Sequence, residues 1–427
     1  MRKVPKVSFY TVGCKLNQYE TELIAQKMID LGFERVDWAE SADIYIINSC
    51  SVTMKAAADS RRKLFAAKRM SPDAIVIMTG CYAQIQAQLL DKMPEVDLVV
   101  SNDDKDKIIS MISQIYPGIN ADLYENGSPL LRSLYKHSRA LIKIQDGCNQ
   151  KCSYCVIPLG RGAERSRDYR EIIEEIRLVS FNRYKEVILT GVHIGRYQFE
   201  GDNLTSLLSR ILDETEIERI RLSSVEVNEF DDELIWLSAR NKRICPHFHI
   251  PLQSGSDKIL RSMNRPYKTD RYRAVTERLK SEVANSMVGA DIIVGFPGEG
   301  EEDFGRTLEF VENSNIDYLH VFSYSDHPQA RSFNFDGKLA SHIIKERNRI
   351  LTGLGNRKWD KFLESQMKRD LPVLFEKRFA RNSGMLTGLS DNYIRVECDG
   401  GEDCFNTIQN VTPKEIIDGR IRGELRQ

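Results

Sequence analysis

Short, wholly apolar runs separated by amphipathic stretches restrict the fold of this chain more than any other feature. Val7–Val12, Ile44–Asn48, Ile75–Thr79 and Leu98–Val100 are too short for buried helices and lack the polar alternation of half-exposed strands. They read as parallel strands covered on both faces. Helical patterns at Glu20–Leu31, Lys55–Arg69 and Ala83–Lys92 fall between them, so residues 1–116 are expected to form a doubly wound α/β unit. Pro-Gly and Asn-Gly-Ser-Pro then mark a linker over 117–136. Strand–helix alternation resumes over 137–365, with candidate strands Leu141–Gln145, Glu186–Thr190, Arg219–Ser223, His247–Ile250, Asp291–Val294 and Tyr318–Phe322. Six such units predict a (β/α)6-type partial barrel with its chemistry at the carboxyl ends of the strands. Over 366–427 the runs Leu371–Glu376, Gly384–Leu389, Tyr393–Glu397 and Asn406–Val411 are short and turn-bounded, the pattern of a small antiparallel β-barrel.

No run of about 18 apolar residues is present, and the amino-terminal segment Met1-Arg2-Lys3-Val4-Pro5 lacks an apolar signal core. A cytoplasmic protein without membrane contact is expected. The net charge of −1 gives no global basic footprint, so any RNA must be held by local patches. In a reducing compartment the nine cysteines point to metal or catalytic roles rather than disulfides.

The sharpest motif is Gly147-Cys148-Asn149-Gln150-Lys151-Cys152-Ser153-Tyr154-Cys155, just after the first barrel strand. Three thiolates on so tight a loop can face one small cluster. Closing a 4Fe–4S centre takes four protein ligands, so three leave one iron open. The spacing, with the aromatic Tyr154 before the third cysteine, resembles the radical S-adenosylmethionine superfamily. The resemblance implies that Cys148, Cys152 and Cys155 hold a 4Fe–4S cluster whose open iron chelates S-adenosylmethionine for reductive cleavage to a carbon radical.

Cys14, Cys50 and Cys81 have no common local motif, yet each falls just past a predicted strand. Carboxyl ends of an open parallel sheet share one edge, so the three thiols can converge. Their surroundings, Gly13-Cys14-Lys15-Leu16-Asn17-Gln18-Tyr19-Glu20-Thr21-Glu22, Asn48-Ser49-Cys50-Ser51-Val52-Thr53 and Thr79-Gly80-Cys81, resemble the amino-terminal domain of the methylthiotransferases, and the likeness covers essentially the whole chain. It implies a second, auxiliary 4Fe–4S cluster on these cysteines. The run after Cys14 resembles the branch acting on N6-threonylcarbamoyladenosine in tRNA. Cys245, Cys398 and Cys404 read as structural.

Further candidates follow from position and resemblance. Tyr154, Thr190, Gly191, Gln253 and Arg265 are expected to contact the cofactor. His193 stands beside Gly191, where the superfamily's usual Gly-Gly-Glu is missing. Arg161, Arg165 and Arg167 follow the central cysteines and suit RNA phosphates. The terminal barrel resembles the TRAM domain, an RNA-binding module, with Lys377, Arg378 and Arg381 as one candidate patch and Arg420, Arg422 and Arg426 as another.

The resemblance implies transfer of a methylthio group to C2 of N6-threonylcarbamoyladenosine at position 37 of tRNA. It further implies two 4Fe–4S clusters, S-adenosylmethionine in two roles, the tRNA anticodon loop as partner, and an electron donor and a sulfur source that the sequence does not identify. Competing readings are methylthiolation of isopentenyladenosine or of a ribosomal-protein side chain, and a non-catalytic metal-bearing RNA-binding protein.

Overall fold

The computed structural model describes residues 4–116, 130–135 and 137–426. The expected linker therefore lies mostly outside the described residues.

Strands β1 (Lys6–Thr11), β2 (Glu34–Val36), β3 (Ile44–Ser49), β4 (Ile75–Gly80) and β5 (Leu98–Val100) form a parallel sheet in the order β2-β1-β3-β4-β5. Alternate residues of β3 serve opposite faces, as the two-residue strand repeat demands. Ile44 and Ile46 pack with Ile24 and Met28 of the helix Lys15–Asp30, whereas Tyr45 and Ile47 pack with Ala57 and Leu64 of the helix Met54–Met70. The strand order reverses between β1 and β3, and the crevice outside such a switch point is where open α/β sheets bind ligands. The edge strand β2, Glu-Arg-Val, is too short and polar to be read from periodicity. The expected helix Ala83–Lys92 is two short helices, Cys81–Ile85 and Ala87–Leu90, interrupted at Gln86.

The second unit contains β6 (Ala140–Lys143), the short pair β7 (Gln145–Asp146) and β8 (Arg165–Ser166), then β9 (Glu186–Thr190), β10 (Arg219–Leu222), β11 (His247–His249), β12 (Met287–Val294) and β13 (Tyr318–Ser323). Two parallel sheets, β10-β9-β6 and β11-β12-β13, are joined by Ile220 N–H donating to Arg243 O (2.7 Å) and Cys245 N–H donating to Ile220 O (2.9 Å). The result is the six-stranded open partial barrel expected from the sequence, with β6 and β13 at its edges. No helix among the described residues is long and apolar enough to cross a membrane.

After the helix Ser341–Gln366, β14 (Leu371–Phe379), β15 (Leu386–Ser390), β16 (Arg395–Cys398), β17 (Ile408–Ile417) and β18 (Arg420–Leu425) close a five-stranded barrel. All its pairings are antiparallel except β16 with β18. β18 escapes a sequence reading because its hydrophilic run Arg-Ile-Arg-Gly-Glu-Leu turns Ile421 into the core and its arginines outward. Cys398 and Cys404 belong to this core, and Cys245 is buried in the partial barrel.

Two arginines of β10 fasten this barrel to the partial barrel. Arg219 Nη2 donates to Pro372 O (2.7 Å), and Arg221 donates to Asp391 O (2.8 Å) and Ser390 O (3.1 Å). Arg221 Nε also donates to the wholly buried Glu186 carboxylate at 2.7 Å. Burial alone would raise the pKa of Glu186, but Arg221, Arg139 and Arg219 hold it at about 2. A carboxyl depressed by folding stabilises above its ordinary pKa and loses that contribution as pH falls through the folded value. The shift corresponds to about 3 kcal/mol. Between pH 4.5 and about 2, the unfolding free energy of the wild type should therefore fall more steeply than that of Glu186→Gln. Parallel urea-denaturation curves across this window would rule the linkage out.

Candidate active site

The amino-terminal cysteines converge as their strand ends require. Cys14, Cys50 and Cys81 follow β1, β3 and β4, three adjacent strands, and all three line one cavity. Gly80 precedes Cys81 at φ +94°, where a Cβ would stand 2.3 Å from Ser49 O. Only glycine allows that approach, and it brings Cys81 up to the end of β3. Asn17, buried at the start of the helix Lys15–Asp30, donates to Val12 O (2.8 Å) and Ser49 O (3.1 Å), pinning the ends of β1 and β3 together. Burial pushes the Cys50 thiol up to about 11.

The central trio is fixed by a different set of contacts. Gly147, at φ +71°, precedes Cys148; a Cβ there would lie 1.9 Å from Ala163 O. The buried Gln145 side chain donates to Asp146 O and Gly147 O (both 2.9 Å) and accepts from Val192 N–H (3.1 Å) and His193 N–H (2.7 Å). One amide thus clamps the cysteine loop to the turn after β9. Arg265 Nη1 donates to Cys152 Sγ (3.3 Å), and its other nitrogens meet Tyr267 (3.2 Å) and Glu226. His193 Nδ1 lies 3.8 Å from Cys148 Sγ, and Nε2 lies 3.1 Å from Glu229. Burial opposes a charge on His193, but its contacts with the Cys148 sulfur and the Glu229 carboxylate raise its pKa to about 10. Burial pushes Cys155 up to about 12. The bare Cys155 thiol is thus held protonated, and metal binding must displace that proton.

Both donor sets suit an iron–sulfur cluster. In neither trio do all three sulfurs lie within 4.8 Å of one another, whereas a tetrahedral zinc ion with bonds of about 2.3 Å needs sulfurs roughly 4 Å apart. Thiols spaced beyond the reach of one ion leave room for a cubane with one open iron.

The helix Ile157–Arg161 joins the trios. It begins two residues after Cys155 and ends against Cys81, where a Cβ on Gly160 would lie 3.0 Å from Cys81 Cβ. At about 1.5 Å per residue this helix spans roughly 7.5 Å between the two trios. Arg161 then crosses into the amino-terminal unit. Its side chain, 1% exposed, pairs with Glu20 and Asn17 and lies 3.5 Å from Asp146. Burial alone would raise the pKa of Glu20, but Arg161, Lys105 and Lys143 hold it well below the carboxylate range.

A cavity of about 1580 Å³ runs from Cys14, Cys50 and Cys81 past Thr190 and Gly191 to Arg378 and Arg381 of the terminal barrel. The central trio is not on its wall. The aromatic side chains Tyr318, Phe322, Trp359 and Tyr393 are, together with the pair His249 and His320, which flank Asp291 at 2.9 and 3.2 Å. Tyr318, His320, Phe322 and Trp359 lie in a strand or helix and Tyr393 in the turn before β16, none in a recognisable motif; His249 and Asp291 fall in family-like runs, but the sequence reading assigned neither side chain a role.

Other candidates fall in varied places. Tyr154 packs beside Ile259, Met263 and Phe296. Gln253 is buried at φ +66°, donates its backbone N–H to Asp291 O (2.7 Å) and is absent from the cavity wall. The expectation that Arg161 and Arg167 meet RNA phosphates is corrected. Arg161 is committed to Glu20, and Arg167 to Glu175 (2.7 Å) and Tyr19 (3.2 Å). Of the three, Arg165 alone is substantially exposed (46%), beside Asp146. The second terminal patch is also paired: Arg420 with Glu397, Arg422 with Glu415 and Arg426 with Asp370. Lys377, Arg378 and Arg381 are exposed, Arg378 being paired with Glu376 at 2.6 Å.

Because Arg161 is buried and its partners are charged, Arg161→Met should destabilise the iron-free chain by about 3–5 kcal/mol. Arg165→Met should cost less than about 1 kcal/mol. Chemical denaturation of both variants checks this; equal effects would contradict the assignment of Arg161 as the buried tie.

Residues 142–311 match the Radical SAM superfamily model, and residues 6–101 match the model of an uncharacterized protein family, UPF0004. The chain is 38% identical to the threonylcarbamoyladenosine tRNA methylthiotransferase MtaB of Aquifex aeolicus, over 92% of this chain and 97% of that one. Identity to the Bacillus subtilis protein of the same name is 35%, over 95% and 93%. A tRNA-2-methylthio-N(6)-dimethylallyladenosine synthase of Bacillus subtilis is 28% identical, over 97% and 85%. Among solved structures, the radical S-adenosylmethionine methyltransferase TsrM of Kitasatospora setae shares the fold, with a TM-score of 0.55 at 13% identity over 74% of this chain and 73% of that one. With two gathered cysteine trios and relatives of this identity along nearly its whole length, the chain belongs to the radical S-adenosylmethionine methylthiotransferases.

Proposed function

We propose that this enzyme transfers a methylthio group to C2 of N6-threonylcarbamoyladenosine at position 37 of tRNA, with two 4Fe–4S clusters and S-adenosylmethionine in two roles. The observation that carries the reading is the pair of three-thiol sites tied by one five-residue helix, one of them opening into a cavity that reaches the terminal barrel. The names of the 38% and 35% identical relatives support this substrate.

A hydrogen on an adenine ring carbon is not acidic enough for a side-chain base; when bound, the clusters and S-adenosylmethionine supply the radical chemistry and the sulfur that side chains lack. The chain's own residues position and enclose. Cys148, Cys152 and Cys155 hold one cluster and leave one iron position for the cofactor, with Arg265 placing positive charge on Cys152. Tyr154, Thr190, Gly191 and Gln253 form the cofactor's surroundings, and Gln145 keeps the Thr190–His193 turn in register with the cysteine loop. Cys14, Cys50 and Cys81 hold the second cluster at the cavity wall. Tyr318, Phe322 and Trp359 offer aromatic faces to unstacked anticodon-loop bases. Lys377, Arg378 and Arg381 of the TRAM-like barrel, with Arg165, meet phosphates. The working division is 1–116 for the auxiliary cluster, 137–365 for the radical chemistry and 366–427 for RNA. An electron donor and a sulfur source complete the reaction.

The 28% identical relative names a second substrate, an N6-dimethylallyl adenosine. Mass spectrometry of tRNA nucleosides from a deletion strain separates the two, since loss of the methylthio derivative of the threonylcarbamoyl nucleoside is expected. Its persistence, in a strain with no second enzyme making it, would reject the assignment, and loss of a ribosomal-protein methylthio group would redirect it. Anaerobically reconstituted protein should bind about eight irons, and Cys14→Ala and Cys148→Ala should each bind about four and form no product. Two zinc ions and no 5′-deoxyadenosine would indicate a non-catalytic RNA-binding protein.

A further inference from the structure

Lys15 follows Cys14 and begins the helix Lys15–Asp30. It lines the same cavity as the amino-terminal cysteines. The ionisable groups that act on it most strongly are Tyr393, Arg139, Arg221 and Cys14, none of them a carboxylate. The acids nearby are already engaged. Glu186 accepts from Arg221 at 2.7 Å, Asp291 is held between His249 and His320, and Glu20 is shared by Arg161 and Lys105. Arg139 is short of partners too. Its Nη1 is buried without a hydrogen bond, 3.7 Å from Glu186.

Two neighbouring side chains report the resulting positive potential. Tyr393 stacks on His247 with ring centroids 4.4 Å apart and lies beneath the guanidinium groups of Arg221 (5.0 Å) and Arg139 (5.6 Å). Burial would raise the Tyr393 phenol, but Arg139, Lys15 and Arg221 hold it below its ordinary value. His247 is pushed well below the usual imidazole range by burial and then by Arg221, His249, Lys15 and Arg139. Tyr393 keeps this place at φ +74°, a conformation that a bulky residue adopts only when its surroundings enforce it. A cation with no carboxylate partner among the described residues, on a cavity wall and beside a guanidinium whose Nη1 has no hydrogen bond, is a site for an oxyanion.

We propose that Lys15 is a specificity-determining residue whose ammonium, with Arg139 behind it and the Tyr393 ring beside it, receives the carboxylate carried by the N6 substituent of the adenine. The inference rests on the substrate reading above, because a threonylcarbamoyl group ends in a carboxylate and a dimethylallyl group does not. It also fits the position of the residue. An N6 substituent anchored at Lys15 keeps the purine at the end of the cavity occupied by Cys14, Cys50 and Cys81. An apolar substituent would leave the ammonium desolvated and unpaired, a cost that discriminates strongly against the wrong substrate.

The test is anaerobic binding of cluster-reconstituted, full-length protein to one tRNA in three forms: threonylcarbamoylated, isopentenylated and unmodified at the target adenosine. The wild type should bind the threonylcarbamoyl form about tenfold tighter than the unmodified one. Lys15→Met and Arg139→Gln should each bring that ratio to within about twofold, while Lys15→Arg should retain it. An unchanged ratio in Lys15→Met overturns the proposal. So does equal weakening for all three tRNAs, which would assign the cation to a backbone phosphate. If Lys15→Met loses iron through its neighbour Cys14, the Arg139→Gln ratio decides: collapse supports the proposal and an unchanged value overturns it. Failure of the substrate reading is seen separately, as a wild type that makes no methylthio product on threonylcarbamoylated tRNA.

Discussion

The buried guanidinium of Arg161 is the contact on which the geometry of both sulfur sites depends. It stands at the end of a five-residue helix that begins just past the central cysteines and rests on Cys81. Its two nitrogens reach back to Glu20 and Asn17. Asn17 in turn fixes the ends of β1 and β3, which carry Cys14 and Cys50. One side chain is therefore bonded to the scaffold of one trio while lying on the segment that emerges from the other. Buried ion pairs are weak sources of net stability but effective at selecting one arrangement among several. Here the arrangement selected is that of the two cysteine trios, through the Arg161 bonds to Glu20 and Asn17.

Which parts of this were legible in the sequence follows from where the information lies. β3 and β4 were plain because both faces are buried and every position is apolar or small. The convergence of Cys14, Cys50 and Cys81 could be anticipated because parallel strands deliver their carboxyl ends to one edge. β2 and β18 escaped notice because an edge strand or a small-barrel strand turns only one or two side chains inward. The arginines after the central cysteines were misread for a related reason. Composition shows charge, but burial of Arg161 against Glu20 depends on a partner 141 residues away. The cavity wall was invisible on the same grounds: His247 and Tyr393 stack although they come from different units and belong to no shared motif.

The terminal barrel is more than an appended module. Arg219 and Arg221 project from β10 and donate to carbonyls of β14 and of the segment ending β15, and Glu186 keeps Arg221 in place. Three arginines share that one carboxylate, so the junction between barrels carries surplus positive charge. Donation to backbone carbonyls satisfies the guanidinium hydrogens but leaves the net charge intact. The field therefore persists into the cavity, where Tyr393 and His247 respond to it.

The residues that join the two barrels thus set the potential at the end of the cavity lined by Lys15 and Tyr393. A structural requirement, holding a small barrel over an open partial barrel, and the recognition requirement proposed for an anionic group on the nucleobase would be met by the same arginines. Weakening the junction would alter both at once. Lys15 is separable from it because it lies on the amino-terminal helix and donates to none of those carbonyls. On the proposed substrate reading, that independence makes the choice of substituent adjustable at one position beside Cys14, with the barrels and both sulfur sites left in place.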